Sequence, residues 1–171
     1  MNVLFHTAIS IGISAAITNP KTIEEGNNFT KVKFIIILFC IGIFSHGLLD
    51  IIPHCYPINS KIDFLISSFL ICAIINLTNK RYKILIAFSF IGSLFPDIVD
   101  LAVPILNKYA NLNLLVHENY FPWHWKIYSG SIYISDCTNS TIYQAILVIG
   151  VALICYFNRS NIISLVKRDV N

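Results

Sequence analysis

Charge is what this chain has least of. Lys, Arg, Asp and Glu make up 12% of its 171 residues, about half the share usual in a soluble domain, and that scarcity excludes an ordinary water-soluble fold. The net charge of +3 is too small and too scattered for a nucleic-acid surface, because the basic residues are confined to short connections. No Gly/Ser-rich or low-complexity linker divides the chain, so residues 1–171 read as a single membrane domain. Any Lys or Arg ahead of the first apolar stretch is also missing. That stretch holds His6 and Thr7, so a cleaved signal peptide is not expected.

What is present is mostly apolar: 56% of residues are hydrophobic and the mean hydropathy is +0.69. Stretches at 33–52, 62–78, 82–103 and 141–157 are long enough, at about 1.5 Å per helical residue, to cross or nearly cross a core about 30 Å thick. A fifth, at 2–18, is marginal. The expected class is all-α, a polytopic bundle of about five transmembrane helices. Lys21, Lys31, Lys33, Lys80, Arg81, Lys83, Arg159, Lys167 and Arg168 fall on one side of these spans, and only Lys61, Lys108 and Lys126 on the other. The positive-inside rule then sets the N-terminus outside and the C-terminus in the cytoplasm.

Against this apolar background the polar residues stand out. Asp50, Asp97 and Asp100 lie inside or at the ends of spans, where each ionised carboxylate costs roughly 2.5–3.5 kcal/mol. A divalent metal could compensate, since structural zinc sites yield about 10–16 kcal/mol of apparent binding free energy. In Ser45-His46-Gly47-Leu48-Leu49-Asp50 the imidazole and carboxylate are one helical turn apart on one face, a spacing that can chelate a metal. Pro53 is expected to end that helix and leave His54 in a mobile connection. In Phe95-Pro96-Asp97-Ile98-Val99-Asp100 two more carboxylates share a face, with Pro96 loosening the helix beside them. His6, His46, Asp50, His54, Asp97 and Asp100 are therefore the candidate metal ligands, all at the same end of their spans. Imidazole with carboxylate suits Zn²⁺ first, then Mn²⁺ or Fe²⁺. Asp100 and His124 are the candidates for catalysis, as groups that orient a substrate or protonate a leaving group beside a metal-bound water. Each also has a structural alternative: His6 as a packing residue, His46 with Asp50 as a helix-pairing hydrogen bond, and Asp97 or Asp100 as acids meeting water at a span's end.

The connection at 104–140 is too long for an idle turn and is expected on the extracytoplasmic side. Its segment from Tyr120 to Tyr128 is the most aromatic of the chain, which suits the lipid headgroup level. It reads as an interfacial anchor, with His124 in its aromatic belt, or as a lid over the polar cluster. His117 reads as an ordinary loop histidine. Ile41-Gly42 precedes Asp50 by the same offset as Ile91-Gly92 precedes Asp100, a faint internal echo that would set Asp50 across from Asp100. Cys40, Cys72 and Cys155 fall in spans as small apolar residues, while Cys55 and Cys137 map to the outer side, where a disulfide is allowed.

These elements resemble a group of bacterial inner-membrane proteins described as metal-dependent hydrolases, including the LexA-regulated type. Phe5-His6 is similar to that family's N-terminal histidine, Leu94-Phe95-Pro96-Asp97-Ile98-Val99-Asp100 to its Leu-Pro-Asp-x-Asp-His element, and Ser45-His46-Gly47-Leu48-Leu49-Asp50 to its Ser-His-x-x-x-Asp element. The family's His-Arg-Gly-x-Thr-His-Ser element has no counterpart, and the other two come in reversed order. The resemblance implies hydrolysis of a phosphoester or lipid-linked substrate at the outer face of a bacterial inner membrane. A small ion- or proton-coupled transporter and a non-catalytic membrane scaffold or partner subunit are the alternatives. Membrane lipids are the expected surroundings in every case.

Overall fold

The computed structural model describes residues 1–56, 58–132 and 137–166. Lys167 and Arg168, which the charge asymmetry used, lie outside the described residues. The order is α1 (Val3–Ile17), α2 (Pro20–Glu25), α3 (Asn28–Ile51), α4 (Ser60–Leu77), α5 (Lys83–Ala110), a 3-10 turn at Pro122–His124, α6 (Thr138–Phe157) and α7 (Arg159–Val166). Among the described residues there is no strand, only a bridge between His54 and Ser131. The all-α expectation holds.

Four helices, α3, α4, α5 and α6, are long and apolar enough to cross a membrane. α1 is the exception among the five expected: its 15 residues extend about 22 Å, short of a core about 30 Å thick. It packs against α3, α4, α5 and α6 instead of forming an outer wall. Its residues explain the position. His6, Thr7, Ser10 and Ser14 are all buried; facing lipid they would lie in hydrocarbon, whereas inside the bundle Ser10 reaches the carbonyls of His6 and Ser89 at 3.1 and 3.4 Å. Conversely α4 and α6 expose Phe64, Leu65, Phe69, Ile146, Ile149 and Leu153, an apolar surface far too extensive for water.

Helices α3 and α5 make the closest pairing of the bundle. A methyl group added to Gly42 would lie 2.7 Å from the Ser93 amide nitrogen, and one added to Gly92 would fall on the Phe39 carbonyl oxygen. Only a residue without a side chain lets the two backbones approach so closely. The echo in the sequence thus marks the crossing point, and it sets Asp50 and Asp100 the same distance along their helices beyond it. α5 does not stop near residue 103: it continues through Pro96 and Pro104 to Ala110, where Asn111 caps it in the left-handed region (φ 50°). The connection is correspondingly shorter, 111–137.

The two ends of the bundle differ in chemistry. At one end Ile23, Leu38, Tyr82, Leu85, Ile86, Phe90 and Leu165 form an apolar core, closed by the Tyr82 hydroxyl donating to Glu24 at 2.6 Å. At the other end, Asp63 of α4 accepts from the amides of Val3 (2.7 Å) and Leu4 (3.1 Å). It satisfies donors that the first turn of α1 would otherwise leave unpaired, and so fixes where His6 enters the bundle.

Candidate metal centre

Three separate elements deliver the polar cluster. α3 supplies His46 and Asp50, α5 supplies Asp97, and the aromatic connection supplies His124. One ligand atom from each of these four side chains lies within 4.8 Å of the other three. The two imidazole Nε2 atoms are 3.3 Å apart. Asp50 Oδ2 is 3.0 Å from the first and 3.2 Å from the second, and Asp97 Oδ1 is 3.6 and 3.4 Å from them. A tetrahedron with bonds of 2.0–2.1 Å has edges of roughly 3.3 Å, so five of the six edges already match.

The imidazoles are set in the tautomer a metal needs. His46 donates from Nδ1 to the Ser93 carbonyl at 2.6 Å, and His124 donates from Nδ1 to Asp100 at 2.7 Å. With both Nδ1 protons committed, the two Nε2 lone pairs face each other and the carboxylates. Such a meeting of electron-rich atoms is repulsive unless a cation lies between them. Burial opposes charge on His124, but its contacts with Asp50, Asp97 and Asp100 outweigh this and push its imidazole up to about 10. A proton on Nε2 serves as that cation in the metal-free chain, and a bound ion would displace it.

Asp100 is not in the ligand group. Its carboxylate accepts from the Tyr120 amide (2.9 Å), the Phe121 amide (3.1 Å) and His124 Nδ1, so both oxygens are engaged away from the cluster. Asp100, expected as a metal ligand and a catalytic group, thus lies outside the four-residue group. It orients His124, as second carboxylates behind metal-bound histidines do. His124 in turn is one of the four residues that could hold an ion. His54 also lies outside that group. It is fully buried, donates from Nδ1 to the Ile52 carbonyl at 2.7 Å, and has the Tyr56 hydroxyl 3.2 Å and the Ser131 hydroxyl 3.3 Å from Nε2. Far from mobile, its backbone pairs with the connection, through Gly130 O at 2.8 Å and Ile132 N at 2.8 Å. His117 is exposed. His6 is buried on the far side of Asp50, stacked on His46 with ring centroids 4.0 Å apart.

The connection covers the cluster. Trp123 packs against Gly47, where a methyl group would meet the indole at 2.7 Å, and Phe121 stacks on Trp123 at 5.1 Å. Its outward side exposes Tyr120, Trp125, Ile127 and Tyr128, so the lid and anchor readings describe two faces of one segment. A disulfide joins Cys55 to Cys137, the Cys55 amide donates to Ser140 at 2.7 Å and Gln144 donates to the Cys55 carbonyl at 3.1 Å. These bonds tie the segment after α3 to the start of α6. Sequence reasoning missed Ser93, Asp63 and Gly47. Ser93 acts through its carbonyl, which residue type does not reveal, whereas a buried acid at the start of α4 was a legible signal for Asp63.

The chain matches no protein family, no curated protein and no solved structure. The resemblance to inner-membrane metal-dependent hydrolases rests on its short motifs.

Proposed function

We propose that the protein is a membrane-embedded metal-dependent hydrolase, with zinc as its ion, acting on a phosphoester or lipid-linked substrate at the outer face of a bacterial inner membrane. The observation that carries this reading is the pair of tautomer-locked Nε2 atoms meeting the Asp50 carboxylate at tetrahedral spacing, with Asp97 beside them. His46, His124 and Asp50 form the tight part of the group, with edges of 3.0, 3.2 and 3.3 Å. Three protein ligands with one position left for water is the pattern of catalytic zinc sites.

Asp97 is the loosest member, with the two longest edges and a side chain 23% exposed, against 7% for Asp50 and 0% for His46. We assign it as the acid/base group at the open side, within reach of the water position and of solvent. When bound, the ion would acidify that water toward neutral pH and polarise an ester oxygen. Asp100 keeps His124 in its tautomer, and Trp123 and Phe121 exclude bulk water above it. The Cys55–Cys137 disulfide at the same end supports an oxidising compartment there. Lys80, Arg81 and Lys83 at the other end support a cytoplasmic face.

The test is zinc per chain in detergent-purified protein, with phosphate release from two phosphomonoesters, phosphatidic acid and a soluble aryl phosphate. Stoichiometric zinc with zinc-dependent release is expected. A metal-free protein would overturn the site, and zinc without turnover would leave a scaffold. The transporter reading draws on Thr7, Ser14 and Thr18, whose buried hydroxyls have no protein partner along α1. Beyond His6, however, α1 carries no ionisable side chain to continue a path.

A further inference from the structure

The first cation position uses only half of the Asp50 carboxylate. Oδ2 faces the two Nε2 atoms, while Oδ1 points to the other side of the residue, where His6 Nε2 lies 3.3 Å away. His6 is fully buried, and neither of its ring nitrogens has hydrogen-bond geometry to any described group. A buried imidazole whose Nδ1 has no partner and whose Nε2 meets only that carboxylate oxygen, outside hydrogen-bond geometry, is incompletely satisfied and leaves room for a further partner.

The rings themselves indicate what that partner is. His6 and His46 are stacked nearly parallel, 13° apart in plane and 4.0 Å between centroids. Each presents Nε2 to a different oxygen of the same carboxylate. Ions carried on these two nitrogens would be neighbours across one carboxylate, as in two-ion sites, whose metals stand about 3.5–4 Å apart. A carboxylate that offers one oxygen to each of two neighbouring cations is a bridging ligand.

We infer that the centre is dinuclear, with Asp50 bridging a first ion held by His46 and His124 and a second ion held by His6 through Nε2, water completing the ligands of the second ion. An ion at Oδ1 displaces the Met1 amine, which contacts the same oxygen. The inference rests on the metal site of the proposed function, and it adds the second ion and a ligand role for His6. Two divalent ions would hold the attacking and the leaving oxygen of a phosphoester together, which suits the phosphoester arm of the proposed function.

The test uses the full-length protein in detergent, depleted with chelator and reloaded with Mn²⁺ alone. Two ions per chain and an exchange-coupled Mn²⁺ spectrum in electron paramagnetic resonance are expected, falling to one ion and an uncoupled signal in His6→Ala. His6→Gln guards against misfolding: it keeps a polar side chain of similar reach and should also bind one ion while retaining the melting temperature of the parent. One ion in the parent chain would overturn the second position and leave the first standing. No ion would overturn both. Two ions retained in both His6 variants would remove His6 from the site and with it this assignment.

Discussion

Gly42 to Asp50 on α3 and Gly92 to Asp100 on α5 have the same length, start from the same helix crossing and end in the same side chain, yet the two aspartates do different work. Asp50 turns into the bundle and meets imidazoles on both of its oxygens. Asp100 meets two backbone amides and the outer nitrogen of His124. His124 joins them, Nδ1 to Asp100 and Nε2 to Asp50. What separates the roles is what each helix end faces. α3 stops at Ile51 and packs its last turn against α1, whereas α5 runs on to Ala110 and has the returning connection laid against it. Matching spacing placed the two acids alike. The neighbours they met divided their functions.

Removing the inner acid should break this arrangement most severely. Asp50→Ala takes away the carboxylate that both proposed ions share, so metal should fall from stoichiometric to trace levels and activity should vanish with it. Metal retained at parent levels would show that Asp50 is only a packing residue. Asp97→Asn should separate binding from chemistry. Zinc is expected to stay, because three tighter ligands remain, while turnover drops by about 10²–10⁴-fold, the usual contribution of a positioned acid/base. If the metal leaves as well, Asp97 is a fourth ligand and the open position lies elsewhere.

Asp100→Asn tests the outer acid. An amide still fills the space, but it can no longer pair its charge with His124, and zinc affinity should weaken by about 10–100-fold without being lost. Titration with a competing chelator measures this. An effect as large as that of Asp50→Ala would erase the distinction between the two aspartates. The crossing that places both of them can be tested separately. Gly92→Ala forces a methyl onto the Phe39 carbonyl and should cost about 1–3 kcal/mol of stability. Gly150→Ala, where an added methyl meets nothing within 4 Å, should leave the melting temperature unchanged.

The comparison also shows which parts of the molecule could be read from its residues. The C-terminal ends of α1, α3, α4 and α6 were legible to within a residue because polar residues interrupt apolar runs sharply, whereas α3 and α6 begin five and three residues before the expected positions, in polar first turns that hydropathy does not register. Extending α5 past two prolines was not legible, since a proline's local cost says nothing of the tertiary packing that outweighs it. His46, Asp50 and Asp97 were legible because charge inside a span needs a reason. His124 was recognisable as a candidate but not as a ligand, because its place depends on the path of a connection with no periodicity to read. Asp100 and His54 fall outside the four-residue group for one shared reason. Residue type announces that a group can bind a metal, while whether its atoms are already taken is decided by backbone amides, carbonyls and neighbouring hydroxyls that sequence does not position.

His54 gives the smallest and most separable effect, since it lies four residues beyond Asp50 and does not join the metal group. Burial above all holds its imidazole down to about 4, against about 6.5 in an unfolded chain. Between those values the unfolded chain takes up a proton that the folded chain refuses. The contribution of the neutral, buried ring is therefore fully present above about pH 6.5 and is lost as pH falls toward 4. His54→Asn keeps a donor for the Ile52 carbonyl but cannot titrate. Its metal content should equal that of the parent, and the difference between the two melting temperatures should change across this window and be constant above it. A constant difference from pH 4 to 7 would mean that the ring is not held neutral by its surroundings. Loss of metal in His54→Asn would mean that the pairing of residues 54 and 131 holds the whole connection, His124 included, over the site.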